Sequence, residues 1–279
     1  MARPEPEHLW PDRLLFIGCG NMAGAILGRW LDLGLPPYRV KVVRPSGKPV
    51  APDIEVTTRL EEVVTAGTWV VLGVKPQQLA QVAQEIGPFL VHHPRILSIL
   101  AGVPIASLER CFPDAASIVR CMPNLPVRTG QGVSLFYPGN GIDAERRAAI
   151  TKTFSLLGLV EWLEEEALFD AATALSGCGP AFVYRFIDAL GAAGASLGLD
   201  PAMAARMALA TVAGAGLSAV HSDVAPSAMA DAVASKGGMT REGLDVLDKD
   251  EALKVLLEQT LRAARDRGAE LAKLAASKD

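Results

Sequence analysis

The sequence predicts two parts: an α/β domain built on a mostly parallel sheet, and an all-α domain after it. Three observations carry the prediction. Leu14 to Gly24 reads LLFIGCGNMAG, a short apolar run that enters a glycine turn. Helical periodicity follows at once, with Met22, Ile26, Leu27, Trp30 and Leu31 at spacings of three and four. Apolar strand-like runs then alternate with helical ones as far as Trp162, and from Ala167 onward only helical stretches remain. The expected organisation is a disordered tail over residues 1–12, a Rossmann-like NAD(P)-binding domain over 13–166 and an all-helical domain over 167–279.

Strand, glycine turn and helix open a dinucleotide-binding βαβ unit. Gly18 permits the tight turn, and Gly20, without a Cβ, lets a pyrophosphate approach the backbone. Ala23 takes the place of a third glycine and still allows close packing of helix on strand. The first free N–H groups of the helix, at Asn21, Met22 and Ala23, face the pyrophosphate, where the helix dipole favours negative charge. The same motif also occurs in ligand-free βα turns; its position directly after an apolar strand favours the nucleotide.

Val40 to Val43 is the second expected strand. Trp69 to Leu72 is the third, ending at Gly73-Val74-Lys75-Pro76 before a helix from Gln77 to Ile86, whose first turn suits Pro76. Ile96 to Leu100 is the fourth, followed by Ala101-Gly102-Val103-Pro104 and another helix. Ser117 to Cys121 is the fifth. Val133 to Phe136 and Leu159 to Trp162 flank a helix from Asp143 to Leu156. Ligands of such a sheet sit at the carboxyl ends of its strands. Gly18 to Ala23, Arg44 to Ser46, Val74 to Pro76 and Ala101-Gly102 all fall at such ends. An NAD-specific site normally offers Asp or Glu after the second strand. Here the place reads Val43-Arg44-Pro45-Ser46, and Arg44 suits a 2′-phosphate. NADPH is therefore expected over NADH, although NADH stays open and a solvated arginine is the plain alternative.

The helical part comprises Leu168 to Leu197 (interrupted at Gly177-Cys178-Gly179-Pro180), Pro201 to His221, Pro226 to Ala234, Arg241 to Leu247 and Glu251 to Leu274. The first two are dense in Ala and Gly, with Gly191, Gly194, Gly214 and Gly216. Small residues on several faces imply close backbone packing, and a second copy of the chain is favoured over a lone bundle. Ser235-Lys236-Gly237-Gly238-Met239-Thr240 lies between two helices. It reads either as an anion-binding nest at a helix N-terminus or as a simple turn capped by Thr240. Asp223 is likewise either the cap of a helix starting near Pro226 or a carboxylate facing a cationic substrate.

A net charge of −4 over 279 residues argues against a nucleic-acid surface. No apolar run reaches the length of a membrane span, so no membrane role is expected. MARPEPEHLWPD has no apolar signal core, and a cytoplasmic protein is expected. Cys19, Cys111, Cys121 and Cys178 lie far apart without a C-x-x-C pair; two bridges are possible in principle, but the absence of a secretion signal favours free thiols. His92-His93 has no partner cluster, and no metal site is expected.

Beyond these features, IGCGNMAGAIL (Ile17 to Leu27), VLGVKPQ (Val71 to Gln77), AGV (Ala101 to Val103), RCMPNLP (Arg120 to Pro126), DAATALSGCGPAF (Asp170 to Phe182) and VASKGGMTREGLDVLD (Val233 to Asp248) stand in order along the chain. With these motifs the chain resembles the pyrroline-5-carboxylate reductase family, from Leu14 to the last helix. The resemblance implies a nucleotide domain followed by a helical substrate and dimerisation domain, forming an intertwined homodimer that is sometimes assembled into a decamer. It implies reduction of 1-pyrroline-5-carboxylate to L-proline by a nicotinamide cofactor. By matching position, Ser235, Gly238, Met239 and Thr240 would hold the substrate carboxylate, and the Thr240 hydroxyl would lie near the ring nitrogen. Asp223 falls where the family usually has a glutamate close to that nitrogen, so Thr240 and Asp223 are the catalytic candidates. Val74, Lys75, Pro76, Ala101 and Gly102 would line the cofactor, with Asn124 near its nicotinamide end. Lys236, Phe182 and Leu60 depart from the family's usual proline, tyrosine and asparagine.

Overall fold

The structure, a computed structural model, describes residues 9–276, with side chains as far as 270. The chain forms two compact units. One runs to Cys178 and takes in the chain from Ala264; the other is Gly179–Ala263.

The first unit is built on an eight-stranded sheet in the order β3-β2-β1-β4-β5-β6-β7-β8. Its strands are β1 (Leu14–Ile17), β2 (Val40–Val43), β3 (Glu55–Thr57), β4 (Trp69–Leu72), β5 (Arg95–Ser98), β6 (Ser117–Pro123), β7 (Gly132–Pro138) and β8 (Gly158–Trp162). Every pairing is parallel except β6 with β7. Those two strands are joined by a short 3-10 turn at Leu125–Thr129, and so short a link permits only an antiparallel return. The helices are α1 (Asn21–Asp32), α2 (Leu79–Ile86), α3 (Ile105–Cys111), α4 (Ala144–Phe154) and the short α5 (Phe169–Ala172).

Both faces of the sheet are covered, which is why the central strands read as unbroken apolar runs. Phe16, Val42, Val71, Leu97 and Val119 pack on one side with Ile26 and Trp30 of α1 and Phe154 of α4. Leu15, Ile17, Val70, Leu72, Ile96 and Ile118 pack on the other with Leu79 and Val82 of α2 and Leu108 of α3. The first side holds a run of edge-on rings: Trp10 to Trp30 at 6.2 Å, Trp30 to Phe154 at 5.1 Å and Phe154 to Phe136 at 4.9 Å.

Several sequence expectations shift. Residues 1–8 of the expected tail lie outside the described residues, but Trp10 is buried in the core, so the chain is anchored before residue 12. β3 lacks the strong apolar signature of its neighbours, having only three residues at the sheet edge. Between β2 and β3 no helix forms; Pro45, Pro49 and Pro52 remove helix donors throughout that run. β5 ends at Ser98, two residues before the expected Leu100. The expected interruption near Gly177 is a π-helical turn, Thr173–Gly177, leading into α6 (Gly179–Ser196).

The second unit carries α6, α7 (Pro201–Val220), α8 (Pro226–Ala232), α9 (Met239–Asp248) and the start of α10 (Ala252–Ala276). α6 and α7 approach closely: a Cβ on Gly191 would lie 3.2 Å from Ala205 Cα, and one on Gly194 would lie 3.4 Å from Ala204 Cβ. Among α6 and α7 only Gly191, Ala204 and Ala208 are buried. Phe186, Met207, Leu209 and Leu217 are all about half exposed or more. α7 is also long and apolar enough by length and composition to cross a membrane, with a mean hydropathy of 1.4. This corrects the expectation that no apolar run reaches spanning length: the Ala and Gly of α7 are apolar enough to make one, although they lack large side chains.

Candidate active site

The carboxyl ends of the central strands stand in line. Register pairs Ile17 with Val43 and with Leu72, Leu72 with Ser98, and Ser98 with Arg120. The loops after β1, β2, β4 and β5 therefore leave one edge of the sheet together. The crevice of a doubly wound sheet opens where strand order reverses, here between β1 and β4.

Gly18 turns with φ +79, and its N–H donates to Val43 C=O at 2.8 Å. A Cβ there would meet Val74 Cγ1 at 2.7 Å and Gly73 C=O oxygen at 2.9 Å. Gly18 is therefore demanded by the fold itself. Gly20 differs: it is the N-cap of α1 in extended geometry, without a side-chain cap bond, and an added Cβ would meet nothing within 4 Å. The N–H groups of Asn21, Met22 and Ala23 begin α1 and have no carbonyl a turn earlier to receive them. Ala23 is buried, with its Cβ 3.1 Å from where a Cβ on Gly73 would stand, so this position does serve close helix–strand packing.

After β2, Arg44-Pro45-Ser46-Gly47 forms a turn closed by Gly47 N–H to Arg44 C=O at 3.0 Å, with Gly47 at φ +59. Arg44 N–H donates to Thr57 C=O at 2.9 Å, so β3 holds the base of the turn. Burial pushes the Cys19 thiol pKa up, and the Arg44 charge acts in the opposite direction. No carboxylate pairs with Arg44 among the described residues. Ser46 is exposed on the same turn. After β4, Gly73 N–H donates to Ile17 C=O at 2.9 Å, and Lys75 N–H donates to Gln78 Oε1 at 3.2 Å, with Pro76 starting the next turn. After β5, Ala101 is exposed and Gly102 turns at φ +71.

Asn124 is buried and largely committed internally. Its Nδ2 donates to Ser176 C=O at 2.8 Å, and its Oδ1 accepts from Val133 N–H at 2.8 Å. Its primary work is to join the end of β6 to the π-helical turn. Thr173 on that turn has a buried hydroxyl without a hydrogen-bond partner among the described residues.

In the helical unit, the loop between α8 and α9 has Gly237 at φ +72 and Gly238 as the N-cap of α9, without a side-chain cap bond. Thr240 is therefore not the cap: it is the second residue of α9. The Gly238 N–H donates to Ser235 C=O at 2.9 Å, which removes it from the expected anion donors and leaves those of Met239 and Thr240. A Cβ on Gly238 would lie 2.6 Å from Ser235 Oγ. Met239 and Thr240 are exposed. Arg241 ties the loop's flanks together, bonding Asp231 of α8 at 3.3 Å and Asp245 and Asp248 of α9 at 2.8 and 3.0 Å. Asp223 is exposed and is not the cap of α8, a place held by Ala225.

All four cysteines are free thiols. Among the described residues no group of three His, Cys, Asp or Glu side chains is placed to hold a metal ion. The residues of the glycine turn do fit a dinucleotide: a helix N-terminus without a side-chain cap, open space over Gly20 and, at the end of the neighbouring strand β2, an arginine with no carboxylate partner among the described residues.

A mostly parallel sheet with this turn, preceding a separate helical unit with its own open helix N-terminus, is the architecture of a nicotinamide-dependent oxidoreductase of the two-domain kind. Residues 13–102 match the family model described as NADP oxidoreductase, coenzyme F420-dependent, and residues 166–271 match pyrroline-5-carboxylate reductase dimerisation. The chain is 36% identical over 265 residues to pyrroline-5-carboxylate reductase of Pseudomonas aeruginosa, covering 93% of this chain and 97% of that one. It is 34% identical to the enzyme of the same name from Synechocystis, over 94% and 98% of the two chains. Among solved structures, pyrroline-5-carboxylate reductase from Coxiella burnetii superposes with a TM-score of 0.85 at 28% identity, over 94% and 99% of the two chains. The NADP-bound enzyme of Plasmodium falciparum does so at 0.81 and 27%, over 94% and 98%. The chain belongs to the pyrroline-5-carboxylate reductase family.

Proposed function

We propose that this chain reduces 1-pyrroline-5-carboxylate to L-proline as a homodimer, with NADPH preferred over NADH. The observation that carries the reading is the presence of two open helix N-termini, each behind a glycine turn and each in its own unit. One suits a pyrophosphate and the other a carboxylate. The NADP-bound relative and the dimerisation match support the reading.

When bound, the cofactor supplies a hydride; the chain supplies position and charge. Asn21, Met22 and Ala23 N–H groups bind the pyrophosphate, with Gly18 and Gly20 shaping the approach. Arg44 and Ser46 bind the 2′-phosphate. Val74, Lys75, Pro76, Ala101 and Gly102 form the wall, and Asn124 holds the end of β6 in place for the nicotinamide side. Met239 and Thr240 N–H groups grip the substrate carboxylate, with Ser235 and Gly238 setting the loop. A protonated imine accepts hydride far more readily than a neutral one. The Asp223 carboxylate favours the cation, and the Thr240 hydroxyl accepts a hydrogen bond from the ring N–H. That hydroxyl has no useful acidity, so its part is orientation or relay through water. Most of the acceleration then comes from fixed geometry.

The test is incubation with 1-pyrroline-5-carboxylate and NADPH, following the loss of reduced-nicotinamide absorbance and the appearance of proline. A protein that binds NADPH but leaves both reactants unchanged overturns the reading.

A further inference from the structure

Glu166 precedes α5 and is 61 residues distant in sequence from the group it bonds: its Oε1 accepts the Ile105 N–H at 2.8 Å. Ile105 opens α3 immediately after Ala101-Gly102-Val103-Pro104. That helix has Pro104 as its N-cap and no side-chain cap bond of its own. The same Glu166 oxygen accepts from Arg120 Nη1. Arg120 lies on β6 level with Ser98, the last residue of β5 before the loop. It is 5% exposed, and its guanidinium stacks on the Phe169 ring at 3.9 Å. Burial pulls the Arg120 pKa down and Glu166 opposes that pull. Neither residue has a part in the chemistry described above.

Apolar packing at such a place often stabilises a fold as well as a buried ion pair does. What the pair adds is direction. The loop's start is tied by Ile99 N–H to Leu72 C=O at 3.1 Å and Leu100 N–H to Ser98 Oγ at 3.3 Å, and Leu100 and Val103 are buried. Between them Ala101 is exposed. At the far end Pro104 C=O accepts from α3 itself, and the bond to Glu166 ties that end to another element. Glu166 fixes the far end of that loop, and Arg120, wedged between the sheet and Phe169, fixes Glu166.

We infer that Glu166, held by Arg120, is a positioning residue for the Ala101–Pro104 wall of the cofactor site. The inference rests on the assignment of Ala101 and Gly102 to cofactor binding. It concerns affinity for NADPH, so it is read without turnover.

The test compares two double variants in the full-length protein, R120M/E166Q and R120M/E166L. Both remove the two charges together, the buried one of Arg120 and the half-buried one of Glu166, and they differ in whether an oxygen remains for the Ile105 N–H. NADPH dissociation constants are measured by fluorescence titration, with thermal midpoints and KM values for each substrate alongside. E166Q alone is the mildest variant and guards against a general folding defect. We expect E166Q to bind NADPH within about twofold of the parent, and R120M/E166Q, which keeps an oxygen for the Ile105 N–H but loses the Arg120 anchor, to lie between it and R120M/E166L. R120M/E166L should bind about tenfold more weakly, the effect of one lost bond to a fixed backbone group. Its KM for the imine should stay unchanged. Equal NADPH affinity in the two double variants overturns the inference, as does a rise in both KM values in step. A parent protein that binds NADPH without reducing 1-pyrroline-5-carboxylate defeats the proposed reaction instead, and the NADPH titrations still decide the role of Glu166.

Discussion

Gly20→Ala separates the demands of the fold from those of the cofactor. The backbone at Gly20 has φ −84 and ψ −163, which alanine adopts without strain. The new Cβ meets no protein atom within 4 Å. The folding cost is then confined to the weaker N-cap preference of alanine, about 0.5–1 kcal/mol. For a unit of this size that lowers the thermal midpoint by about 1–4 °C. The methyl group does occupy the space through which a pyrophosphate reaches the α1 N–H groups. NADPH affinity should fall at least about tenfold, or roughly 1.4 kcal/mol. Gly18→Ala is the control with the opposite origin. There φ is +79, and the methyl lies 2.7 Å from Val74 Cγ1 and 2.9 Å from a backbone oxygen. Left-handed strain and overpacking together cost about 2–5 kcal/mol, so binding is lost with the fold. The assay pairs a thermal melt with an NADPH fluorescence titration on both variants. A Gly20→Ala protein that binds NADPH like the parent would refute the placement of the pyrophosphate at this turn.

Arg44→Ala should narrow the preference for NADPH over NADH by raising KM for NADPH alone; equal effects on both cofactors would remove Arg44 as the reader of the 2′-phosphate. Thr240→Ala should lower kcat about tenfold or more with little change in thermal midpoint, because Gly238 and not Thr240 caps α9, while Thr240→Ser stays close to the parent. A fully active Thr240→Ala enzyme excludes the hydroxyl from the mechanism. Gly214 has open space around it within the chain, so Gly214→Trp should act on the surface between copies, shifting the species seen by sedimentation from dimer to monomer and lowering the thermal midpoint with it. An undisturbed dimer would place the interface elsewhere. Lys41 bonds both Glu55 and Glu62; burial draws its pKa down, but the two carboxylates outweigh it and the net shift is upward. That contribution is present below the ordinary lysine pKa and fades as pH rises through the raised value. The partner Glu62 is pulled down by Lys41, so its share is lost as pH falls through the depressed carboxylate value. Lys41→Met should therefore cost under about 1 kcal/mol near neutrality and less near pH 3, as thermal melts at the two pH values will show.

Strong local signals were legible without a structure. Apolar runs bounded by Gly and Pro located seven of the eight strands, because a sheet covered on both faces writes itself as unbroken apolar sequence. β3 escaped because Glu55 and Thr57 flank a single apolar residue at an edge. The glycine turn was legible since each of its residues has a separate steric reason. The α8–α9 loop was less so: turn chemistry shows that a helix begins there, but Ser, Gly and Thr all make good caps and only the backbone geometry chooses Gly238. Arg120 and Glu166 were beyond reach from the residues alone. Their partnership spans 46 positions, and nothing local marks a charged residue in a strand as paired.

The sparse burial of α6 and α7 has a consequence for how the protein behaves on dilution. A helical unit that buries Gly191, Ala204 and Ala208 but leaves Phe186, Met207 and Leu217 outside gains little from its own interior. With a second copy supplying the missing cover, folding of this unit and association become one equilibrium governed by mass action. Each tenfold drop in chain concentration then removes about 1.4 kcal/mol from its stability. The Ser235–Thr240 loop belongs to the same unit, so specific activity measured at nanomolar enzyme should decline with time and recover on reconcentration, whereas the sheet unit, whose core is complete within one chain, keeps its grip on the nucleotide.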